Sequence, residues 1–284
     1  MAVTISNVLS GISSLSIDPA GGRAFVDVGY LSGPVTLEYN SEQEKVDVEQ
    51  DTVPIKHLLK IEGGVLKANM AEATLANFKN VYGYIDTDSV ADTGIVGPVT
   101  PIFVPQNFSA KLVATGPSAT PTRTVIFPRL CATGNVGTPF TKSAIQTLPV
   151  EFSALRAHKE TSNWANNGTF TGNATGWTLV TWAYGSNAVA IAAAGTGTVT
   201  QSVTNLLPGY SYTLTYTLSA FSAGGVRPSL GGTNGTNQTV AGTYTESIVA
   251  GSSNTNLVFT GTAATATLDT VYLVPDFAIG FQDA

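Results

Sequence analysis

Residues 210–219 read YSYTLTYTLS, in which aromatic and aliphatic residues alternate with serine or threonine without a break. A period of two is that of a β-strand with one buried and one exposed face, because successive side chains of a strand point to opposite sides. Pro208 and Gly209, directly before it, form a turn signal. The stretch therefore predicts an amphipathic strand whose exposed face carries hydroxyl groups instead of charges.

The sequence around this strand has the same character. Short apolar or alternating segments recur at small intervals, and glycine-rich or asparagine-rich turns separate them. Many short strands with frequent turn signals are typical of a two-sheet β-sandwich, and no helix is needed. The further strand signals are Val199 with Val203, 257–259 and 271–274, and the turn signals are 231–232 and 234–235.

The distribution of charge divides the chain near residue 160. Residues 1–160 hold 12 Lys or Arg and 15 Asp or Glu, whereas residues 161–284 hold one arginine and four carboxylates. A chain of 284 residues is expected to form about two domains. We predict a first domain at 1–157, a linker at 158–162 and a second domain at 163–284.

Composition and charge disfavour several classes of function. The formal net charge of −6 disfavours a protein that holds nucleic acid by neutralising its phosphates. The longest apolar run, 188–194, is too short to span a membrane, and no secretory signal is visible. We therefore expect no membrane insertion, and synthesis in a reducing cytoplasm, which the single Cys131 also fits.

The sequence carries no catalytic or metal-binding signature. His57 and His158 are the only histidines, and no His-x-x-x-His, Cys-x-x-Cys or nucleophile-elbow motif occurs. We predict that the chain is not an enzyme, with no catalytic residue, no metal ligand and no cofactor. A cell-wall hydrolase is a remote interpretation, because no acid and base pair can be nominated.

Residues 66–78 read LKANMAEATLANF, and the period of the apolar residues changes within this stretch. Apolar residues alternate over 66–70, as in a half-buried strand, and then recur at helical spacing from Leu75. Thr74 is a candidate N-cap, and Gly83 stands where a glycine ends a helix. One short helix after a strand is predicted in an otherwise β domain.

Acidic residues cluster in the first domain and form the strongest charge pattern of the chain. Val46 and Val48 alternate with charged neighbours, so a strand here would bury the valines and expose carboxylates to water. Two interpretations remain open: a solvated strand face, or an acidic wall that repels phosphates. The candidate residues for such a wall are Glu42, Glu44, Asp47, Glu49 and Asp51.

Residues 1–157 resemble the major tail tube proteins of long-tailed bacteriophages. The likeness lies in 66–78, in VIFPRL at 125–130 followed by the turn-rich 133–138, and in LPVEFSAL at 148–155. The resemblance implies a β-barrel or sandwich whose subunits join sheets into a hexameric ring, with rings stacking into a tube in the virion tail. Implied partners are further copies of the chain, other tail proteins, and DNA that passes through the lumen without specific binding.

The second domain resembles jelly-roll carbohydrate-binding modules over 163–276. The likeness lies in NGTF at 167–170, GWTL at 176–179, PGYSY at 208–212 and LDTVYL at 268–273. It implies the jelly-roll sandwich more firmly than it implies sugar binding. The candidates for glycan stacking are Trp182 and Tyr184, which share one strand face if alternation is strict. Packing in the core or at a sheet edge is the alternative favoured for both, and Trp177 is expected in the core.

Two functions follow from these patterns. The first is a structural virion protein, a tail tube subunit whose rings surround a lumen for DNA and whose second domain projects outward. The alternative is a carbohydrate-binding or adhesive surface protein, with host-surface glycans as partners and the first domain as a scaffold.

Overall fold

The computed structural model is mainly β, as predicted, and forms two antiparallel sheets. The short helix predicted within 74–83 lies outside the described residues, which are 13–18, 25–46, 56–71, 107–115, 122–133, 147–157 and 163–283. The strands are β1 (Ser13–Asp18), β2 (Val26–Asp27), β3 (Thr36–Val46), β4 (Lys56–Met70), β5 (Asn107–Thr115), β6 (Thr122–Ala132), β7 (Leu148–Ala154), β8 (Thr178–Val180), β9 (Ala183–Gly185), β10 (Ala188–Ser202), β11 (Ser211–Leu230), β12 (Thr233–Asn234), β13 (Gly242–Val249), β14 (Asn256–Pro275) and β15 (Gly280–Asp283).

The chain divides into two units, and the division does not simply follow the chain from end to end. Residues 156–280 belong to the second unit, but 281–283 return to the first unit, where β15 pairs with β6. The second unit is therefore inserted between β7 and β15 of the first. The predicted linker at 158–162 lies outside the described residues.

The first unit is built on one sheet with the strand order β2-β1-β5-β6-β7-β4-β3, and β15 is added beside β6. Its core face follows the alternation read in the sequence, since Leu66, Ala68 and Met70 of β4 are buried. Phe108 and Phe152 meet edge to face there, with ring centroids 4.9 Å apart. The predicted strand at 66–70 is thus confirmed.

The second unit is a sandwich made by three long strands that fold over on themselves. β10, β11 and β14 each contribute one half to each layer, and their pairing registers shift where they bend. Alanines with positive φ stand at the bends, Ala193, Ala220 and Ala263. The first layer contains β13, 211–218, 268–275, 188–191 and β9, and the second contains β12, 225–230, 256–261, 197–202 and β8.

The strand predicted at 210–219 forms the centre of the sandwich core. Four of its five alternating apolar residues are buried and Tyr210 is half-buried, while the threonines between them are half-buried and turned the other way. Trp177 is buried as well, and its indole nitrogen donates to the carbonyl of Asn166 at 2.8 Å. The buried residues of this strand are Tyr212, Leu214, Tyr216 and Leu218.

Candidate assembly surface

The described part of the first sheet ends in a long strand, β3, whose outer edge is termed the free edge. β3 has 11 residues and, within the described parts of the chain, pairs only with β4. The strand at the opposite end of the sheet, β2, has two residues. Backbone N–H and C=O groups along a free edge are a template for pairing with another chain, so β3 is the strongest candidate for contact between subunits.

β3 and β4 continue together beyond the rest of the sheet. β4 pairs with β7 over Val65–Met70, whereas its pairing with β3 extends to Lys56, opposite Val46. Among the residues that the structure describes, 40–46 and 56–63 therefore form a two-stranded ribbon. A ribbon of two strands has little stability by itself in water, which favours a further partner for it.

Two of the five candidate lumen residues lie on this ribbon. Glu42 stands opposite Ile61 and Glu44 stands opposite Leu58 in the pairing of β3 with β4. The other three, Asp47, Glu49 and Asp51, lie outside the described residues.

A groove with a volume of about 370 Å³ lies beside the free edge. Neighbouring strands align its polar residues, because Thr36 of β3 pairs with Lys67 of β4, which pairs with Glu151 of β7. Proline and asparagine complete the rim. The lining consists of Pro34, Thr36, Lys67, Ala68, Asn69, Pro149, Val150 and Glu151.

Lys67, which lines the groove, forms an ion pair with Glu38 and lies in the electrostatic field of Glu151. The Nζ of Lys67 donates to Oε2 of Glu38 at 2.8 Å. This hydrogen bond, with the negative charges of Glu38 and Glu151, raises the pKa of Lys67 above its usual value. The lysine is therefore charged at neutral pH.

The groove and the edge of β3 present polar side chains and backbone groups that could contact another chain. No group of three His, Cys, Asp or Glu side chains placed to hold a metal ion is found among the described residues. In the same part of the chain, no helix has the length and apolarity to cross a membrane.

The two glycan-stacking candidates of the second unit have different environments. Trp182 is 5% exposed, so its ring has no free face on which a sugar could stack. The structure therefore favours core packing for Trp182 over glycan stacking. The physical reason is the break between β8 and β9, where Thr181 has a positive φ and strict alternation ends. Tyr184 is 39% exposed, and its hydroxyl lies 3.3 Å from Oδ1 of Asn187.

Sequence reasoning missed the free edge of β3 and the row around Lys67. Both result from the order of strands in the sheet, which brings β7 next to β4 across about 80 intervening residues. The only local sign in the sequence was the alternation of Thr36 and Glu38 with Leu37. This alternation predicts a strand, but it does not show which edge of the strand pairs with a neighbour.

Comparison with known proteins finds only distant structural similarity. No family model matches the chain, and no curated protein matches it. Among solved structures, the secreted serine protease VesC from Vibrio cholerae aligns with 62% of this chain at 12% identity and a TM-score of 0.28. The alignment spans 49% of the protease chain.

A second solved structure covers more of the chain. The Dit (gp 19.1) protein of SPP1, described as a paradigm of the hub adsorption apparatus in phages that infect Gram-positive bacteria, aligns over 94% of this chain and 100% of its own. The identity is 10% and the TM-score is 0.30. Scores as low as these two establish no common fold, so function must be inferred from the residues of this chain.

Proposed function

We propose that this protein is a structural subunit of a phage tail tube. The first unit would form hexameric rings that stack around a lumen for DNA, and the second unit would project outward. The resemblance of 66–78, 125–130 and 148–155 to tail tube proteins supports the proposal. So does the mainly β fold of the first unit, with its open sheet.

The observation that carries the proposal is the free edge of β3. A sheet with β3 at one end and the short β2 at the other has two different edges. Joining one edge to the opposite edge of the next copy is a head-to-tail contact, which closes into a ring when the rotation between copies permits. An edge of 11 residues that would promote aggregation in a monomer becomes the joint between subunits.

The acidic residues would give the lumen of the tube a negatively charged wall. DNA moves through a tube only if its phosphates meet no strong cationic site, and a negative wall provides that condition. Screening in physiological salt limits the repulsion to DNA within about 8 Å of the wall. We assign this wall to Glu42, Glu44, Asp47, Glu49 and Asp51.

Negative-stain electron microscopy of the purified protein tests ring formation. We expect rings or hollow tubes, and we expect Tyr39→Lys to abolish them because it places a strongly hydrated charge on β3, where Tyr39 is 60% exposed. Tyr30→Lys is the matched control, since Tyr30 is 80% exposed and lies outside β3. A wild-type protein that stays monomeric at high concentration would refute the proposal.

The lumen assignment has a separate test. Wild-type assemblies should leave the fluorescence anisotropy of a labelled DNA duplex unchanged at low salt. Replacing all five acidic residues with lysine should produce binding that weakens as salt is added, because the new cations would release counterions from the phosphates. If both proteins form rings and neither binds DNA, the five residues do not line the lumen.

A glycan-binding second unit is the other candidate, and the exposure of Tyr184 supports it. A tyrosine ring with one free face can pack against the apolar face of a sugar, and its contact with Asn187 holds it in place. Binding to a glycan array that disappears in Tyr184→Ala and persists in Tyr30→Ala would support this function. An array without any signal for the wild-type protein would exclude it for the glycans tested.

A further inference from the structure

The second unit has a free strand edge of its own. β13 pairs with β11 from Gly242, opposite Leu218, to Val249, opposite Ser211, and with no other strand in the described part of the chain. The pairing has no register shift, in contrast to the bends of β10 and β14. β13 contains no lysine, proline or bulge, which are common protections of such an edge, and its one charged residue is Glu246.

The outer face of β13 carries a neutral row of hydroxyl groups. Thr243 and Thr245 lie 3.0 Å, hydroxyl to hydroxyl, from Thr217 and Thr215 of β11. Ser247 lies 2.7 Å from Ser211 in the same way. One carboxylate lies on this face, that of Asp276, and it already accepts hydrogen bonds from the hydroxyls of Ser211 at 2.8 Å and Thr213 at 2.6 Å on β11 and of Ser247 at 3.5 Å on β13.

The single charge of β13 is turned to the other face and is already bonded. Oε1 of Glu246 accepts from the hydroxyl of Tyr216 at 3.2 Å, and Oε2 accepts from the backbone N–H of Thr236 at 2.8 Å. Tyr244 and Ile248 share that face, where Ile248 is buried. Any partner strand must therefore match a hydroxyl row on one face and Tyr244 and Glu246 on the other.

We propose that the partner is β13 of a second copy, paired antiparallel about a two-fold axis through Thr245. In an antiparallel pair, directly opposed residues have their side chains on the same face of the sheet. A residue of one copy can therefore be opposed only by the same residue, or by one an even number of positions away, in the second copy. The two-fold axis consequently passes where one residue opposes itself, and not between two residues. An axis at Glu246 would oppose two carboxylates, and an axis at Tyr244 would pair fewer residues of the strand. Like charges directly opposite are unfavourable, which leaves Thr245.

This register makes β13 complementary to itself. On the outer face, Thr245 meets Thr245 and Thr243 meets Ser247 of the second copy, so the hydroxyl pairs found between β11 and β13 continue across the axis. On the other face, Tyr244 meets Glu246. The first layers of the two copies would then form one continuous sheet. This contact involves the second unit alone, so the proposal does not rest on the proposed tube.

Cysteine cross-linking of the full-length chain tests the register, with Cys131→Ser as background. Opposed residues in antiparallel strands have Cα atoms about 4.5–5.5 Å apart, which a disulfide can bridge. Thr245→Cys alone should give a covalent dimer under mild oxidation. Thr243→Cys alone should not, but a mixture of Thr243→Cys and Ser247→Cys proteins should.

Thr215→Cys is the matched control, because Thr215 lies on the same face one strand further from the axis. It should give at least tenfold less covalent dimer than Thr245→Cys. Circular dichroism establishes that each variant keeps its β structure. Equal cross-linking of Thr215→Cys and Thr245→Cys, or no cross-linking of Thr245→Cys in folded protein, would overturn the proposal, whether or not rings form.

Discussion

The rings of Tyr216 and Phe259 meet edge to face in the second unit, with centroids 5.1 Å apart and an interplanar angle of 67°. Tyr216 lies in the first layer on β11 and Phe259 in the second layer on β14. Both side chains are fully buried. Their contact therefore joins the two layers at the centre of the sandwich.

Removing one of these rings should strongly destabilise the second unit. Phe259→Ala should lower its free energy of unfolding by about 3–5 kcal/mol, because the change removes a buried ring and leaves a cavity. Chemical denaturation followed by tryptophan fluorescence measures the loss. Val249→Ala, at an exposed position of β13, should change stability by less than about 0.5 kcal/mol. Equal effects of the two substitutions would contradict the assigned core.

Stability of the second unit should fall in alkaline solution. Burial is the main cause that raises the pKa of Tyr212 and Tyr216 above the usual 10.0, and the charge of Glu246 adds to it for Tyr216. The folded state thus holds these protons more tightly than the unfolded state. The resulting stability is fully present below about pH 10 and is lost as pH rises through the folded pKa values.

Thermal unfolding at a series of pH values from about 8 to about 11 tests this titration. The melting temperature should fall over the upper part of that range, and Tyr216→Phe should fall less steeply, because phenylalanine has no proton to lose. A parallel decline in wild type and Tyr216→Phe would assign the alkaline loss to other groups.

Gly168 should tolerate no side chain. A Cβ at this position would lie 1.9 Å from the carbonyl oxygen of Val271, and the backbone N–H of Val271 donates to the carbonyl of Gly168 at 2.8 Å. Gly168→Ala must therefore displace the backbone of β14, with an expected cost of more than about 2 kcal/mol. Gly185→Ala is the control, since its Cβ would meet nothing within 4 Å. Similar melting temperatures for both variants would show that the segment at 168 relaxes freely.

Local sequence patterns predicted which strand faces are buried better than they predicted which strands lie at the edges of the sheets. The alternation at 210–219 gave the central strand and its buried face correctly, because that period depends only on the geometry of one strand. Trp182 is buried at the point where Thr181 interrupts the strand with a positive φ, and a threonine in the sequence gives no sign of such an interruption. The free edge of β3 depends on strand order, which no local period contains.

The chain end should stabilise the first unit, although it follows the second unit in sequence. β15 pairs with β6, so deleting 281–284 should remove a neighbour from β6 and expose its backbone N–H groups to solvent. Hydrogen exchange measured by mass spectrometry should then become faster in 122–132 and stay unchanged in 211–218. Removing Ala284 alone is the control, because it leaves β15 in place. Unchanged exchange in β6 after the longer deletion would mean that the last strand contributes nothing to the first sheet.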